Sequence, residues 1–231
     1  MKHRLLGCLA FVLLAVPAAA QNQADNRPGV AVFPFANGGS YGANKEDVEA
    51  LSIGLQEMML SELSQNTALR VVDRGALRGV LDEQNLGSSG RVDPATAARI
   101  GKIVGARYSV VGGFIDNNKD FWMNARIIDT ETTEIVKLEQ VRDNRDKLYE
   151  LLVDLAGKLT AGVNLPPLAA EVREARVKRE IPPEAITLYS RAQVYQDGGR
   201  KDRAKDLYRQ ITEKFPAMTE AKEALRQLES S

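Results

Sequence analysis

The sequence predicts an α/β domain built on a mixed sheet with flanking helices, followed by a small all-α helical-repeat segment. Three observations lead to this fold class. Short apolar runs alternate with amphipathic helical patterns as far as residue 105, three strand-like runs then follow one another, and helical periodicity alone returns near the C-terminus. Strands that alternate with helices favour parallel pairing, whereas consecutive strands with short turns favour an antiparallel meander.

The first half of the α/β domain is predicted to follow a β-α-β-α order. Its strands are apolar runs bounded by turn residues, and its helices carry apolar residues at i, i+3, i+4 spacing. The elements are a strand at residues 30–35, a helix after Asn44, a strand at residues 69–73, a short helix ending near Leu86, and a helix opened by Asp93 and Pro94. In this last helix, the buried side is expected to comprise Ala97, Ile100, Ile103 and Val104.

The second half of the domain is predicted to be an antiparallel meander closed by a helix. Its three strand-like runs are residues 107–116, 121–129 and 134–141, separated by short polar turns. Strand alternation places only one of Phe121 and Trp122 in the core, so the other is a candidate partner contact. The closing helix begins at Asn144 and turns a row of leucines, from Leu148 to Leu159, toward the sheet.

The C-terminal quarter is predicted to be a spacer and a tetratricopeptide-like segment. Residues 164–183 form a charged spacer bounded by proline pairs, and residues 184–231 follow the small and large packing positions of a 34-residue helical repeat. The packing positions are assigned to Leu188, Ala192, Tyr195, Ala204 and Tyr208. The neighbouring residues, expected to line an open groove for a protein partner, are Ile186, Tyr189, Gln193 and Gln196.

The N-terminus is predicted to be a cleaved secretory signal. Residues 1–20 have a basic start, an apolar run and the small residues Ala18-Ala19-Ala20, and residues 21–27 read as a flexible lead. The apolar run follows Cys8 rather than preceding it, so we expect no lipid anchor there. Cys8 and His3 are the chain's single cysteine and single histidine. Cleavage after Ala20 would therefore leave a mature chain without disulfides, thiol or imidazole catalysis, or Cys/His zinc sites.

No catalytic, cofactor-binding or metal-binding residues are predicted. The glycine-rich segments at residues 38–40 and 87–90 lack the phosphate-loop pattern, and flexible turns are the favoured interpretation. The carboxylates of Asp73, Asp82 and Glu83 are best explained as a solvated polar face rather than an acid/base pair. The 31 basic and 31 acidic residues balance, so the chain has no basic excess for holding nucleic acid.

Several motifs together resemble the CsgG/HfaB family. They are the strand at residues 30–35, RVVDRGALRGVLDEQ at 70–84, TAARIGKIVGA at 96–106, YSVVGGF at 108–114 and NARIIDT at 124–130. The resemblance covers residues 27–163, and we take residues 28–163 as the α/β domain. It implies a bacterial envelope component with a fold similar to LpoB and to the amino-terminal domain of TolB.

By this resemblance, we expect a periplasmic, non-enzymatic protein, with or without outer-membrane association, in the assembly or transport of a cell-surface structure. Its partners would be envelope proteins, including further copies of itself, and any membrane contact would be peripheral or through a partner. Two alternatives stay open: an LpoB-like activator of a cell-wall synthase, and a subunit of an outer-membrane secretion channel. The short turns of the meander leave no room for the membrane hairpins of the curli channel, which favours a member that is not itself a pore.

Overall fold

The computed structural model describes residues 25–40, 44–86, 91–117, 119–161, 163 and 168–230. The predictions for the signal peptide with Cys8, for residues 87–90 and for the prolines at 166–167 lie outside the described residues. The strands are β1 (Gly29–Val32), β2 (Ala36–Asn37), β3 (Arg70–Val71), β4 (Tyr108–Asn117), β5 (Asp120–Asp129) and β6 (Ile135–Asn144). The helices are α1 (Lys45–Ser64), α2 (Arg74–Glu83), α3 (Pro94–Ile103), α4 (Leu148–Ala161) after a 3₁₀ turn at Arg145–Lys147, α5 (Ala170–Val177), α6 (Pro183–Asp197), α7 (Lys201–Lys214) and α8 (Thr219–Ser230).

The described strands form one mixed sheet, which confirms the predicted fold class. The strand order is β3-β1-β4-β5-β6, and β2 pairs with β4 beyond the end of β1. β1 runs parallel to both β3 and β4, whereas β4, β5 and β6 form the predicted antiparallel meander. β6 is therefore an edge strand, with one row of backbone groups facing away from β5.

Helices cover both faces of the sheet. On one face α1 and α4 bury the main core, which includes Phe114, Phe121 and Met123. On the other face α2 and α3 cover a smaller core that includes Phe33 and Ile128. Because α2 and α3 lie over one half of this second face, the half nearer the β4–β5 turn has no helix on it among the described elements.

Polar side chains of α1 explain why the first predicted strand divides in two. Ser52 donates a hydrogen bond from Oγ to the carbonyl oxygen of Phe35 (2.6 Å), and Gln56 donates from Nε2 to the carbonyl oxygen of Val32 (2.7 Å). The amide of Phe35 in turn donates to the carbonyl oxygen of Ser52 (3.1 Å). These bonds satisfy buried backbone groups where the strand leaves the sheet, so the break between β1 and β2 has little hydrogen-bonding cost.

The C-terminal helices pack on α1 and extend the main core. Ile181, Ala185, Ile186 and Tyr189 belong to the same apolar cluster as the sheet and α1. α6 approaches α1 so closely that a Cβ added at Gly54 would lie 2.6 Å from the Cβ of Ser190. α1 is consequently buried on two sides, against the sheet and against α6, where the sequence pattern indicates one apolar stripe.

The predicted helix starts agree with the structure, and one predicted core residue does not. Asn44 and Asp93 each accept a backbone N–H bond at the start of α1 and α3. Ile103 was expected on the buried side of α3, but it is 56% exposed. α3 ends at Ile103, and the chain turns away through Gly105 at a φ of +70°, so the last residue of the helix points outside the smaller core.

Candidate functional site

A groove lies between the α/β domain and the helical repeat. Its walls are α1, the start of α2, α6 and α8, and it encloses a volume of about 890 Å³. Three of the predicted contact residues, Tyr189, Gln193 and Gln196, line it, and they recur at i, i+4 and i+7 along α6. The groove is therefore the place where these α6 residues meet the α/β domain.

The floor of the groove is already packed within the chain. Tyr189 is 4% exposed, and its ring lies 5.8 Å from that of Tyr208. Burial raises the pKa of the Tyr189 hydroxyl well above its ordinary value, so the phenol stays neutral. Gln193 is 3% exposed, and Gln196 at the rim accepts a hydrogen bond from the Tyr208 hydroxyl (2.9 Å).

The prediction that Ile186, Tyr189 and Gln193 line an open groove is wrong as to their exposure. Ile186 is 0% exposed and lies in the core against α1, so it does not reach the groove at all. Tyr189 and Gln193 reach the groove only as its floor. The physical reason is that α1 already covers the side of α6 that an isolated repeat would leave open.

An ion cluster closes one end of the groove. Arg74, at the start of α2, donates to Asp197 (2.5 Å) and to the amide oxygen of Gln193 (2.9 Å), and it also pairs with Glu57 of α1. Arg78 adds a second bond to Asp197 (2.6 Å). Burial raises the pKa of Glu57 despite the opposing charge of Arg74. The cluster joins α1, α2 and α6, so it fixes the width of the groove at this end.

A second ion cluster closes the other end. Arg176 and Arg179, both from the predicted spacer, bond Glu220 of α8 at 3.1 and 2.5 Å, and Arg176 also pairs with Glu62 of α1. The Tyr149 hydroxyl donates to Glu62 (3.1 Å) and accepts from Arg179 (3.0 Å). The residues after α4 are therefore not a free spacer at this point, because their arginines join α1, α4 and α8.

Charge controls the protonation of this second cluster. Burial by itself would raise the pKa of Glu220, but the hydrogen bonds and positive charge of Arg179, together with Arg176, lower it to about 2. Glu220 is thus ionised at any pH near neutrality, as a buried and paired carboxylate requires. Sequence inspection missed Arg74, Glu62 and Glu220, because a charged residue on a helix has the same pattern whether it is solvated or paired.

Trp122 lies on a separate surface. It sits on β5 between Ile115 of β4 and Arg142 of β6, on the half of the sheet face without a helix, and it is partly exposed while Phe121 is buried. Leu138, four residues along β6 from Arg142 and on the same face, is 61% exposed. The prediction that only one of Phe121 and Trp122 enters the core is confirmed, and Trp122 stays a candidate contact.

The described residues contain no group of three or more His, Cys, Asp or Glu side chains placed to hold a metal ion. None of the helices in the described ranges is both long and apolar enough to cross a membrane.

Comparison with known proteins supports the resemblance noted from the motifs. Residues 14–121 match the family described as "Curli production assembly/transport component CsgG". The match spans 108 of the 231 residues. The matched residues include β1 to β4 and reach the start of β5. This match supports a periplasmic envelope protein in the broad sense. None of the curated proteins matches the chain in sequence.

Several solved structures are similar to the chain at low sequence identity. The LpoB C-terminal domain from Escherichia coli has 16% identity and a TM-score of 0.40, with 50% of this chain and 82% of that chain covered. TolB from Acinetobacter baumannii has 14% identity and a TM-score of 0.41, with 61% of this chain and 29% of that chain covered. The PelC dodecamer from Paraburkholderia phytofirmans has 16% identity and a TM-score of 0.36, with 61% and 90% covered.

Proposed function

We propose that this protein is a non-enzymatic component of the bacterial envelope that acts by protein contact in the assembly or transport of a cell-surface structure. Its groove between α1, α6 and α8 holds a polar segment of a partner protein. The observation that carries the proposal is the groove itself, a volume of about 890 Å³ with polar side chains on facing walls. The match to the CsgG family supports the envelope setting.

The two ion clusters make this groove a pre-formed surface. Arg74 joins α2 to α1 and α6 at one end, and Arg176 joins α5 to α1 and α8 at the other. Because these pairs are largely buried, removal of one partner would leave an uncompensated charge, and the walls resist moving apart. A partner segment would therefore bind without first ordering the groove, which lowers the entropic cost of association.

The rim, rather than the floor, would make the new contacts. Ser64 of α1 and Gln227 of α8 line the groove from opposite walls and are exposed. The floor residues Tyr189 and Gln193 shape the groove but already have partners within the chain. A partner with amide and hydroxyl groups would meet donors and acceptors on both walls.

The test is site-specific photo-crosslinking in cells that express the full chain. A photoreactive residue at Ser64 should give adducts with a defined envelope protein, and the same residue at the exposed Gln210 of α7, outside the groove, should not. Ser64→Arg with Gln227→Arg should abolish the function in surface assembly. The matched control is Gln210→Arg with Thr132→Arg, two exposed positions that do not line the groove. Equal adducts at Ser64 and Gln210, or equal loss in both variants, would contradict the groove assignment.

Trp122 and the open edge of β6 form a second proposed contact surface. Ile135, Val136 and Leu138 are 45%, 43% and 61% exposed on this edge strand. Large exposed apolar residues beside an unpaired strand edge are typical of protein interfaces. Further copies of this chain or another envelope protein would fit this surface, and Leu138→Lys should weaken such an association without lowering the melting temperature.

A further inference from the structure

Three arginines gather around one tyrosine at the turn between α6 and α7. The guanidinium carbon of Arg200 lies 4.4 Å from the ring centre of Tyr195, and that of Arg203 lies 5.9 Å from it. Arg191 lies one helical turn before Tyr195 on α6. Hydrogen bonds from Arg191 and then Arg203, with the nearby positive charges, lower the pKa of the Tyr195 hydroxyl. The ring is only partly buried, so the arginine group is open to solvent.

Among the described residues, the positive charge of this group is balanced only in part. Arg200 and Arg203 have no carboxylate oxygen within 4.0 Å among the described residues, and Arg191 has only a 3.6 Å contact with Asp47. The arginines of the second ion cluster differ, because Arg176 and Arg179 bond Glu220 directly. Three guanidinium groups at one place repel each other, and each keeps N–H donors that no protein group uses.

We propose that Arg191, Arg200 and Arg203, grouped around Tyr195, form a binding site for a phosphate group. Each guanidinium presents a planar fork of donors that fits two phosphate oxygens, and several forks around one ring can share the oxygens of a tetrahedral oxyanion. A carboxylate offers only two oxygens and would satisfy one fork. The site is local, so it is compatible with a chain whose basic and acidic residues balance.

Two kinds of ligand could present a phosphate group to this site at an envelope surface: free inorganic phosphate, and the phosphodiester of an anionic lipid headgroup. The arginine site is separate from the groove, because Tyr195 and Arg200 are absent from the groove walls while Gln193 and Gln196 line them. The proposal therefore does not depend on the function proposed for the groove. If the lipid is the source, the site would hold the repeat against a membrane surface.

The test measures binding of the full mature chain to two probes. One probe is inorganic phosphate, followed by calorimetry. The other is phosphatidylcholine vesicles with or without phosphatidylglycerol, followed by co-sedimentation. The triple variant Arg191→Gln, Arg200→Gln, Arg203→Gln should weaken binding by more than about tenfold. The control Arg173→Gln, Lys178→Gln, Lys222→Gln removes the same charge from exposed positions elsewhere and should bind like the original chain.

The outcomes separate the two sources and can overturn the site. If the chain binds inorganic phosphate but not the vesicles, the ligand is the free ion. If the chain sediments only with vesicles that contain phosphatidylglycerol, and added phosphate releases it, the ligand is the lipid headgroup. The proposal would be overturned if neither probe bound, or if the control variant lost as much binding as the triple variant. It would also be overturned if the chain bound a glutamate-rich peptide that phosphate does not displace. If the triple variant has a lower melting temperature than the original chain, Arg200→Gln alone replaces it in the binding experiment. Arg200 is exposed and contacts the ring without an ion pair, so this variant should stay folded and still weaken binding severalfold.

Discussion

Gly54→Ala tests whether the helical repeat is docked on the α/β domain as the structure has it. The added Cβ would lie 2.6 Å from the Cβ and 3.0 Å from the Cα of Ser190, so α1 and α6 must separate or distort. These neighbours belong to the backbone and the base of a side chain, which cannot rotate away. Overpacking of this kind costs about 1–3 kcal/mol of the free energy of unfolding.

The matched control is Gly79→Ala in α2. Gly79 is also in a helix, but it is exposed, and a Cβ there meets nothing within 4 Å. Both substitutions gain about 1 kcal/mol from helix propensity, so their difference isolates the packing cost. We expect the Gly54→Ala variant to be less stable than the control by about 2–3 kcal/mol, because the clash involves fixed atoms. At about 2–4 °C per kcal/mol, its melting temperature should lie about 4–12 °C lower.

A second substitution at Ser190 sharpens the experiment. Ser190→Ala should rescue Gly54→Ala only in part, because it removes the Oγ, which is the nearest neighbour, but keeps the Cβ at 2.6 Å, whereas Ser190→Gly removes both and should recover more of the loss. Urea and thermal unfolding followed by circular dichroism at the helical band would measure all variants. If Gly54→Ala is as stable as Gly79→Ala, or if Ser190→Ala rescues as well as Ser190→Gly, the close packing of α1 on α6 is refuted.

Three further predictions follow from buried groups. Glu220 has a pKa of about 2 in the folded chain against an ordinary 4.5, so it contributes on the order of 3 kcal/mol to the free energy of unfolding above pH 4.5. This contribution is lost as the pH falls toward 2. In urea unfolding at several pH values, the difference in stability between the original chain and Glu220→Gln should therefore shrink over that range. Asp116 is 0% exposed and bonds Arg145 at 2.7 Å, so Asp116→Asn should lower the free energy of unfolding by about 3–5 kcal/mol. Asp120→Asn breaks an exposed ion pair and should lower it by less than about 1 kcal/mol. Comparable losses of stability for the two variants in chemical denaturation would contradict the burial argument. Ala204 is 0% exposed where α7 packs on α6, so the larger side chain of Ala204→Leu should lower the free energy of unfolding by about 1–3 kcal/mol, measured in a thermal melt. An unchanged melting temperature would show that these two helices pack loosely.

A truncated chain tests whether the α/β domain folds without the helical repeat. A chain ending near Leu165 would lose α6, whose Ile186 and Tyr189 share the main core with α1. The removal would also expose the side of α1 that carries Gly54 and leave Glu62 without Arg176. We therefore expect this truncated chain to be less stable than the mature chain, and its unfolding curve would measure how much of the core the repeat supplies.

Local sequence determined the order of the elements and where they begin. Side-chain caps such as Asn44 and Asp93 act within one helical turn, and alternation along β4 to β6 depends only on neighbouring residues. The family motifs likewise lie within single elements or adjacent ones. These features need no long-range contact, so they could be predicted before the structure was known.

Only the tertiary structure decided what covers each surface. Periodicity identifies Tyr189, Gln193 and Gln196 as one stripe of a helix, but it does not say that α1 lies beside that stripe and buries two of the three residues. The charged stretch around Arg176 has the composition of a solvated helix, and it is joined to the core because Glu62 and Glu220 come near it from distant parts of the chain. Helical spacing is a property of neighbouring residues, whereas burial and charge pairing depend on which elements the fold brings together.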